Sequence, residues 1–327
     1  MTQPGAPEPL ENSHNPVVSA PDRRDGLAYV MPPEIDMAVS VALATGRPLL
    51  LRGVPGSGKS SLAAFVARQR GWRYYEQVVT SRTQARDLLW TFDSVRRLAD
   101  GQAKRVVDDV EYVQPGVLWW ALSRTTALRR GADPGIRISN PPEPMADINT
   151  QRSPLDAVVL IDEIDKADPD MPNGLLVPLG SNEFLVTETN TLVRGDPSDG
   201  GPGPARCRHL IVITTNEERD LPEAFLRRCV VIWLPHPDQT QLVDIAEKHL
   251  RIYDGGFDDN DRRLASEIAA ELIKLRTEAR RQSIRAPSTA EFLDALRACR
   301  SLGVTVESET WSQLRNLTLV KPHRPDE

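Results

Sequence analysis

The sequence predicts an α/β fold, a parallel sheet sandwiched by helices and followed by a small all-helical unit. Three observations predict it. The apolar runs Pro48–Leu51, Ala157–Ile161, Leu210–Ile213 and Val230–Leu234 are continuous rather than alternating, as strands buried on both faces are. The first of them leads into a glycine-rich loop, Gly53–Ser60, and then into Ser61–Ala67, a run that favours helix. After Pro235-His236-Pro237 only helical patterns remain.

Residues 1 to 25, rich in Pro, Glu, Asn and Ser, read as a disordered tail. Pro33–Ala44 suits a helix ended by Gly46. Arg73–Val79 is a second strand, and Thr83–Leu98 reads as a helix whose stripe of Leu88, Leu89, Phe92, Val95 and Leu98 belongs to the core. Proline, glycine, asparagine and aspartate between Leu122 and Pro154 mark a long surface insertion. Phe184–Thr187 and Thr191–Val193 suit a hairpin, followed by a Gly/Pro loop over Gly195–Pro204. In the last part Gln241–Leu250, Asp261–Arg280 and Ser288–Ala298 suit helices, the third opened by the S-x-x-E capping box of Ser288 and Glu291. The division that follows is a tail over 1–25, a nucleotide-binding α/β unit over 26–237 and a helical lid over 238–327.

The glycine loop meets the pattern G-x-x-x-x-G-K-[ST] in full, between a strand and a helix. Gly53, Pro55, Gly56, Ser57 and Gly58 let the backbone wrap a polyphosphate, and the amides from Lys59 through Ser61 supply donors at the positive end of a helix. Lys59 reaches the outer phosphates and Ser60 holds magnesium. Asp162-Glu163 closes the second buried strand at its carboxyl end, where ligands of open α/β sheets bind. Asp162 is the magnesium-side carboxylate and Glu163 the base for an attacking water, though an acidic pair there can also be a solvated strand end.

A net charge of −6 over 327 residues argues against generic duplex binding, and no DNA-binding motif is recognised. The three cysteines, Cys207, Cys229 and Cys299, form no C-x-x-C pair, so a zinc or disulfide framework is not expected. No apolar run approaches a membrane span and no signal peptide opens the sequence, which makes a cytoplasmic protein the expectation.

The layout resembles the AAA+ ATPases, and within them the MoxR branch, over roughly residues 26 to 300. The resemblance rests on the glycine loop, on Val159–Ala167, on Thr214-Thr215-Asn216, and on Leu221–Arg228; Thr80–Leu89 with Pro115–Leu118 is similar to the branch's helix-2 insertion. It implies that Asn216 is the polar sensor at a strand end, where a plain turn cap is the alternative. It implies that Arg228 is the finger reaching a neighbouring subunit's nucleotide, with Arg227 as the alternative and a solvated helix end as the bland reading. The lid position that carries a sensor arginine in the branch is here Ala290 or a neighbour, none of them basic, so Arg285 is left to reach in from outside. The 122–154 insertion is a second departure.

No guanine-specific N-K-x-D motif is present. The resemblance therefore implies ATP and Mg2+ as cofactors, a hexameric ring, and hydrolysis coupled to remodelling or activating a protein partner, such as a von Willebrand A-domain protein or a metalloenzyme awaiting its cofactor. The alternative is a nucleotide-gated signalling or binding module with negligible turnover. A nucleic-acid motor is disfavoured by the acidic charge.

Overall fold

Alternate side chains of the buried strands go to opposite faces of one sheet, and this builds two cores. In the computed structural model, which describes residues 25–195 and 209–320, β1 (Leu49–Gly53), β2 (Arg73–Val78), β5 (Ala157–Asp162), β8 (His209–Thr215) and β9 (Val230–Leu234) form a sheet in the order β2-β5-β8-β1-β9. Every pairing in it is parallel. Leu49, Leu51, Tyr74, Val158, Leu160 and Val212 face α1 (Pro33–Thr45) and α2 (Lys59–Arg70). Leu50, Tyr75, Val159, Ile161 and Ile213 face the other way, onto Trp119 and Trp120. The predicted fold class is the one found. The tail expectation falls on residues 1–24 and the Gly/Pro loop largely on residues 196–208, both outside the described residues.

One expected helix breaks up. Thr83–Leu98 folds as a short 3-10 turn at Ala85–Leu88, a strand β3 (Trp90–Phe92) and only then a helix α3 (Ser94–Gln102). The local reason is pairing and capping: β3 runs antiparallel to β4 (Val113–Pro115), and Asp93 Oδ1 accepts from Arg96 N to start the helix late. As a result Leu88 and Leu89 are buried while Val95 and Leu98 are 81% and 65% exposed, so the stripe is not one core face.

The insertion is also more built than its composition suggested. After α4 (Val117–Leu122) come α5 (Arg124–Ala127) and α6 (Ala146–Asn149). Two polar groups, a half-buried carboxylate and a buried amide, tie this stretch to the sheet. Glu143 accepts from Tyr75 Oη and pairs with Arg73 and Arg124, which holds its carboxyl below the usual range despite burial. Asn149 accepts from Tyr74 N at 2.8 Å and donates to Tyr74 O at 3.0 Å, completing the edge of β2. Short helices α7 (Met171–Gly174) and α8 (Leu176–Ser181) lead to the expected hairpin, β6 (Glu183–Val186) with β7 (Thr191–Arg194). A further short helix, α9 (Glu223–Leu226), precedes β9.

The chain then turns helical. α10 (Gln239–Tyr253), α11 (Asp259–Gln282), α12 (Thr289–Leu302) and an unforeseen α13 (Trp311–Thr318) enclose a core of their own around Leu242, Ile268, Leu272, Phe292 and Leu296. Three of these four helices open with a capping box, that of α12 on Ser288 and Glu291 as the sequence indicated. No described helix is long and apolar enough to cross a membrane.

Candidate functional site

The loop after β1 is shaped by close approaches that only glycine allows. A Cβ on Gly53, whose φ is +143°, would stand 2.4 Å from Leu234 O; one on Gly56, with φ +76°, would stand 2.3 Å from Ser288 Cβ. The second contact matters beyond the loop, because Ser288 caps α12. The start of the helical unit therefore sits on the phosphate loop, and Thr289 N reaches Gly56 O at 3.4 Å.

Around this loop lies a cavity of about 690 Å³. Pro55, Gly56, Ser57, Gly58, Lys59, Ser60 and Ser61 line it together with Asp162, Glu163, Thr214 and Asn216. Tyr29, Val30 and Ile35 from the N-terminal part of the chain, Trp233 from β9, and Ile245, Leu293, Asp294 and Arg297 from the helical unit complete the lining, with Tyr29 beside Gly58 of the loop. Of the predicted site residues, Gly53 and Arg228 do not line it; Gly53 contributes its carbonyl to Lys59 instead.

Lys59 is buried, and its ammonium donates to Gly53 O at 2.7 Å and Val54 O at 2.9 Å. Burial lowers its pKa, opposed by the charges of Asp162, Asp165, Glu163 and Glu217. The ammonium, placed at the glycine loop by two carbonyls, attracts an anionic ligand, while the neighbouring carboxylates oppose it unless a cation accompanies that ligand. Gly58 caps α2 with no side-chain bond to the helix, so the first amides are free to donate to phosphate oxygens.

The acidic strand end is tied down by hydroxyls. Asp162 Oδ1 accepts from Ser60 Oγ at 2.8 Å and from Thr214 Oγ1 at 2.6 Å. Thr214 Oγ1 in turn accepts from Glu163 N at 2.9 Å, which fixes Glu163 at φ +61°, a left-handed conformation costly for a non-glycine residue. The Glu163 carboxylate spans two donors, Asn216 Nδ2 at 3.3 Å and Lys166 Nζ at 2.7 Å. The hydrogen bond to Glu163 raises the Lys166 pKa, so the ammonium stays charged. Asp165 Oδ2 accepts from Asn216 N and Glu218 N, both at 3.0 Å, and so positions the sensor candidate from below. Ser60 and Asp162 offer the hard oxygen donors that magnesium takes, beside a loop able to cradle phosphates; the residues present fit a magnesium nucleotide.

The two arginines after α9 are exposed and point elsewhere: Arg228 Nη1 donates to Ala224 O and Arg227 pairs with Glu223. Arg285 does not enter the cavity either, since it pairs with Glu291 at 3.0 Å. The arginine that does line it is Arg297, which sequence reasoning missed, as it missed the supporting roles of Thr214, Asp165 and Lys166. Thr214 left a trace, a hydroxyl-bearing residue closing an otherwise apolar strand; Arg297, one of many arginines on the helices, left none.

A glycine loop, an acidic strand end and a polar strand tip converging on one cavity, with a helical unit seated on the loop, define a P-loop nucleotide-binding protein of the AAA+ class. Residues 48–229 match the AAA domain family (dynein-related subfamily), and the chain belongs to that family. It is similar in structure to the RuvB Holliday junction branch migration motor of Thermotoga maritima, at 12% identity and a TM-score of 0.43, over 87% of this chain and 67% of that one. Domain III of the Thermotoga maritima replication initiation protein DnaA is similar at 14% identity and a TM-score of 0.43, over 91% and 98% of the two chains. No curated protein matches the chain in sequence.

Proposed function

We propose that this AAA+ chain is a magnesium-dependent ATPase of the MoxR type that assembles into a ring, with a hexamer as the expected size, and uses hydrolysis to remodel or activate a protein partner. In this reading the α/β unit over 26–237 binds the nucleotide and the helical unit over 238–327 is its lid. The observation that carries the reading is the Glu163 carboxylate held by Asn216 beside the Ser60–Asp162 pair, a base and a magnesium-side carboxylate at one phosphate loop. Arg228 is exposed and directed away from its own cavity, which suits a finger donated to a neighbouring subunit; a von Willebrand A-domain protein is the partner class the branch suggests.

Measuring ADP affinity and ATP turnover on two variants tests it. Lys59→Ala is expected to lose binding, and Glu163→Gln to bind ATP without turning it over. Wild-type turnover in Glu163→Gln would remove the base assignment. A second reading, a nucleotide-gated module with negligible turnover, is favoured by one contact, the Lys166 ammonium occupying Glu163 Oε2 at 2.7 Å. It predicts tight nucleotide binding with no phosphate release in the wild type.

A further inference from the structure

The helix α11 carries a charge where its pattern calls for an apolar side chain. Its buried face runs through Ala265, Ile268, Leu272, Arg276 and Ala279 at helical spacing, and Arg276 is only 8% exposed. Burial lowers the pKa of the guanidinium to about 10, opposed by the charge of Glu291, so the group is still a cation at neutral pH. A buried cation carries a desolvation penalty that an apolar side chain of similar volume lacks. Packing stability therefore does not account for an arginine at this position.

Its hydrogen bonds show what it joins. Nε donates to Pro287 O at 2.9 Å, Nη1 to Pro237 O at 3.2 Å and Nη2 to Thr289 Oγ1 at 3.5 Å. Pro237 lies in the link between β9 and the Asp238 cap of α10, where the chain passes from the α/β unit into the helical unit. Pro287 and Thr289 flank Ser288, the cap of α12. One planar guanidinium thus ties that crossing point to the start of α12, and a lysine ammonium, a single point of charge, cannot reproduce the fork.

Ser288 is the residue that bears on the phosphate loop. It is buried, and a Cβ on Gly56 would meet its Cβ at 2.3 Å and its Cα at 3.1 Å. The capping box, with Ser288 N donating to Glu291 Oε2 at 2.7 Å, orders this end of α12 only within itself. Arg276 supplies the reference to the rest of the chain. Pro237 and Thr289 line the cavity, whereas Arg276, bonded to both, does not.

We infer that Arg276 is a positioning residue for the phosphate loop: by fixing Pro287 and Thr289 to Pro237 it sets Ser288 on Gly56 and keeps the loop in the shape that receives a polyphosphate. This rests on the reading of the cavity as a nucleotide site, and adds a route by which the placement of the helical unit governs phosphate affinity.

The test is calorimetric titration of the full chain with ADP and with tripolyphosphate, which lacks the nucleoside, alongside unfolding in urea. Arg276→Met is expected to weaken both probes by the same factor, about tenfold, while the unfolding midpoint holds or rises. Arg276→Lys should recover part of that loss. Ser288→Gly removes the side chain that meets Gly56 and leaves a residue tolerated at a helix cap, so it should weaken both probes too, and Arg276→Met added to it should bring no further loss. Wild-type affinity in Arg276→Met overturns the inference and marks a merely structural arginine. So does a loss confined to ADP, which would act away from the phosphates, and so do losses that multiply in the double variant, which would make the two residues independent. If Arg276→Met does not fold, Arg276→Lys takes its place in the double variant and is judged by the same outcomes. If the wild type bound neither probe, the nucleotide reading itself would fail, and this inference with it.

Discussion

Replacing Thr214 by valine removes one oxygen from a nearly isosteric side chain, and that oxygen serves both acids of the site. Thr214 is 1% exposed; its hydroxyl donates to Asp162 Oδ1 at 2.6 Å and accepts from Glu163 N at 2.9 Å. Without it the Glu163 amide is left without its acceptor, at about 1–3 kcal/mol, and a hydrogen bond to a carboxylate worth about 1.5–3 kcal/mol is lost. Ser60 still donates to Asp162 Oδ1 at 2.8 Å, so the carboxylate is not orphaned, and the added methyl returns about 0.8 kcal/mol of apolar burial. The net expectation is a destabilisation of about 2–5 kcal/mol, read as a lower midpoint in urea. Thr214→Ser keeps the hydroxyl and loses only a methyl, at about 1 kcal/mol. The order wild type, then serine, then valine is therefore expected in stability, and the same order in the magnesium-dependent part of ATP affinity. If valine proved more stable than serine, packing rather than the hydroxyl would govern the position, and the argument for Thr214 as the link between Asp162 and Glu163 would fall.

Gly56→Ala places a Cβ within 2.3 Å of Ser288 Cβ at a φ of +76°, so ADP affinity should fall at least tenfold while the sheet remains folded by circular dichroism. Lys166→Ala breaks a half-exposed pair that contributes about 0–1 kcal/mol at most, so the unfolding midpoint should barely move, while turnover at saturating ATP should rise several-fold as Glu163 is released; unchanged turnover would show that the contact does not restrain the base. Burial pushes His209 and His236 down to about 4, below the ordinary 6.5, so both are neutral in the folded chain and take up protons on unfolding. Their contribution is present above pH 6.5 and declines as pH falls toward 4, by up to about 1.4 kcal/mol per pH unit for each, and His236→Gln should flatten the urea-midpoint profile in that window.

The helical unit shows how far a local pattern reaches. Ser288 and Glu291 define a capping box within four consecutive residues, so the start of α12 was legible, and the long continuous apolar runs were legible as two-faced strands for the same reason: each depends on neighbours in sequence. Thr83–Leu98 misled because its apolar spacing suits a helix in isolation, whereas Trp90–Phe92 is claimed by a partner strand that begins at Val113. The insertion misled in the opposite sense, since the groups that anchor it, Glu143 and Asn149, are polar residues satisfied by Tyr75 and Tyr74 from a distant strand.

By itself the sequence determined the parallel α/β sheet, the phosphate loop and the acidic strand end, because a glycine loop between a buried strand and a helix and a carboxylate closing a strand are contiguous patterns whose chemistry is local. Only the tertiary structure decided that Thr214 ties Asp162 to Glu163, that Lys166 and Asn216 share the Glu163 carboxylate, and that Arg297 rather than Arg285 faces the cavity. Those pairings join β5 to β8 and the helical unit to the phosphate loop across long stretches of chain. Their geometry follows from sheet order and from how the helices pack, which no spacing within a single segment encodes.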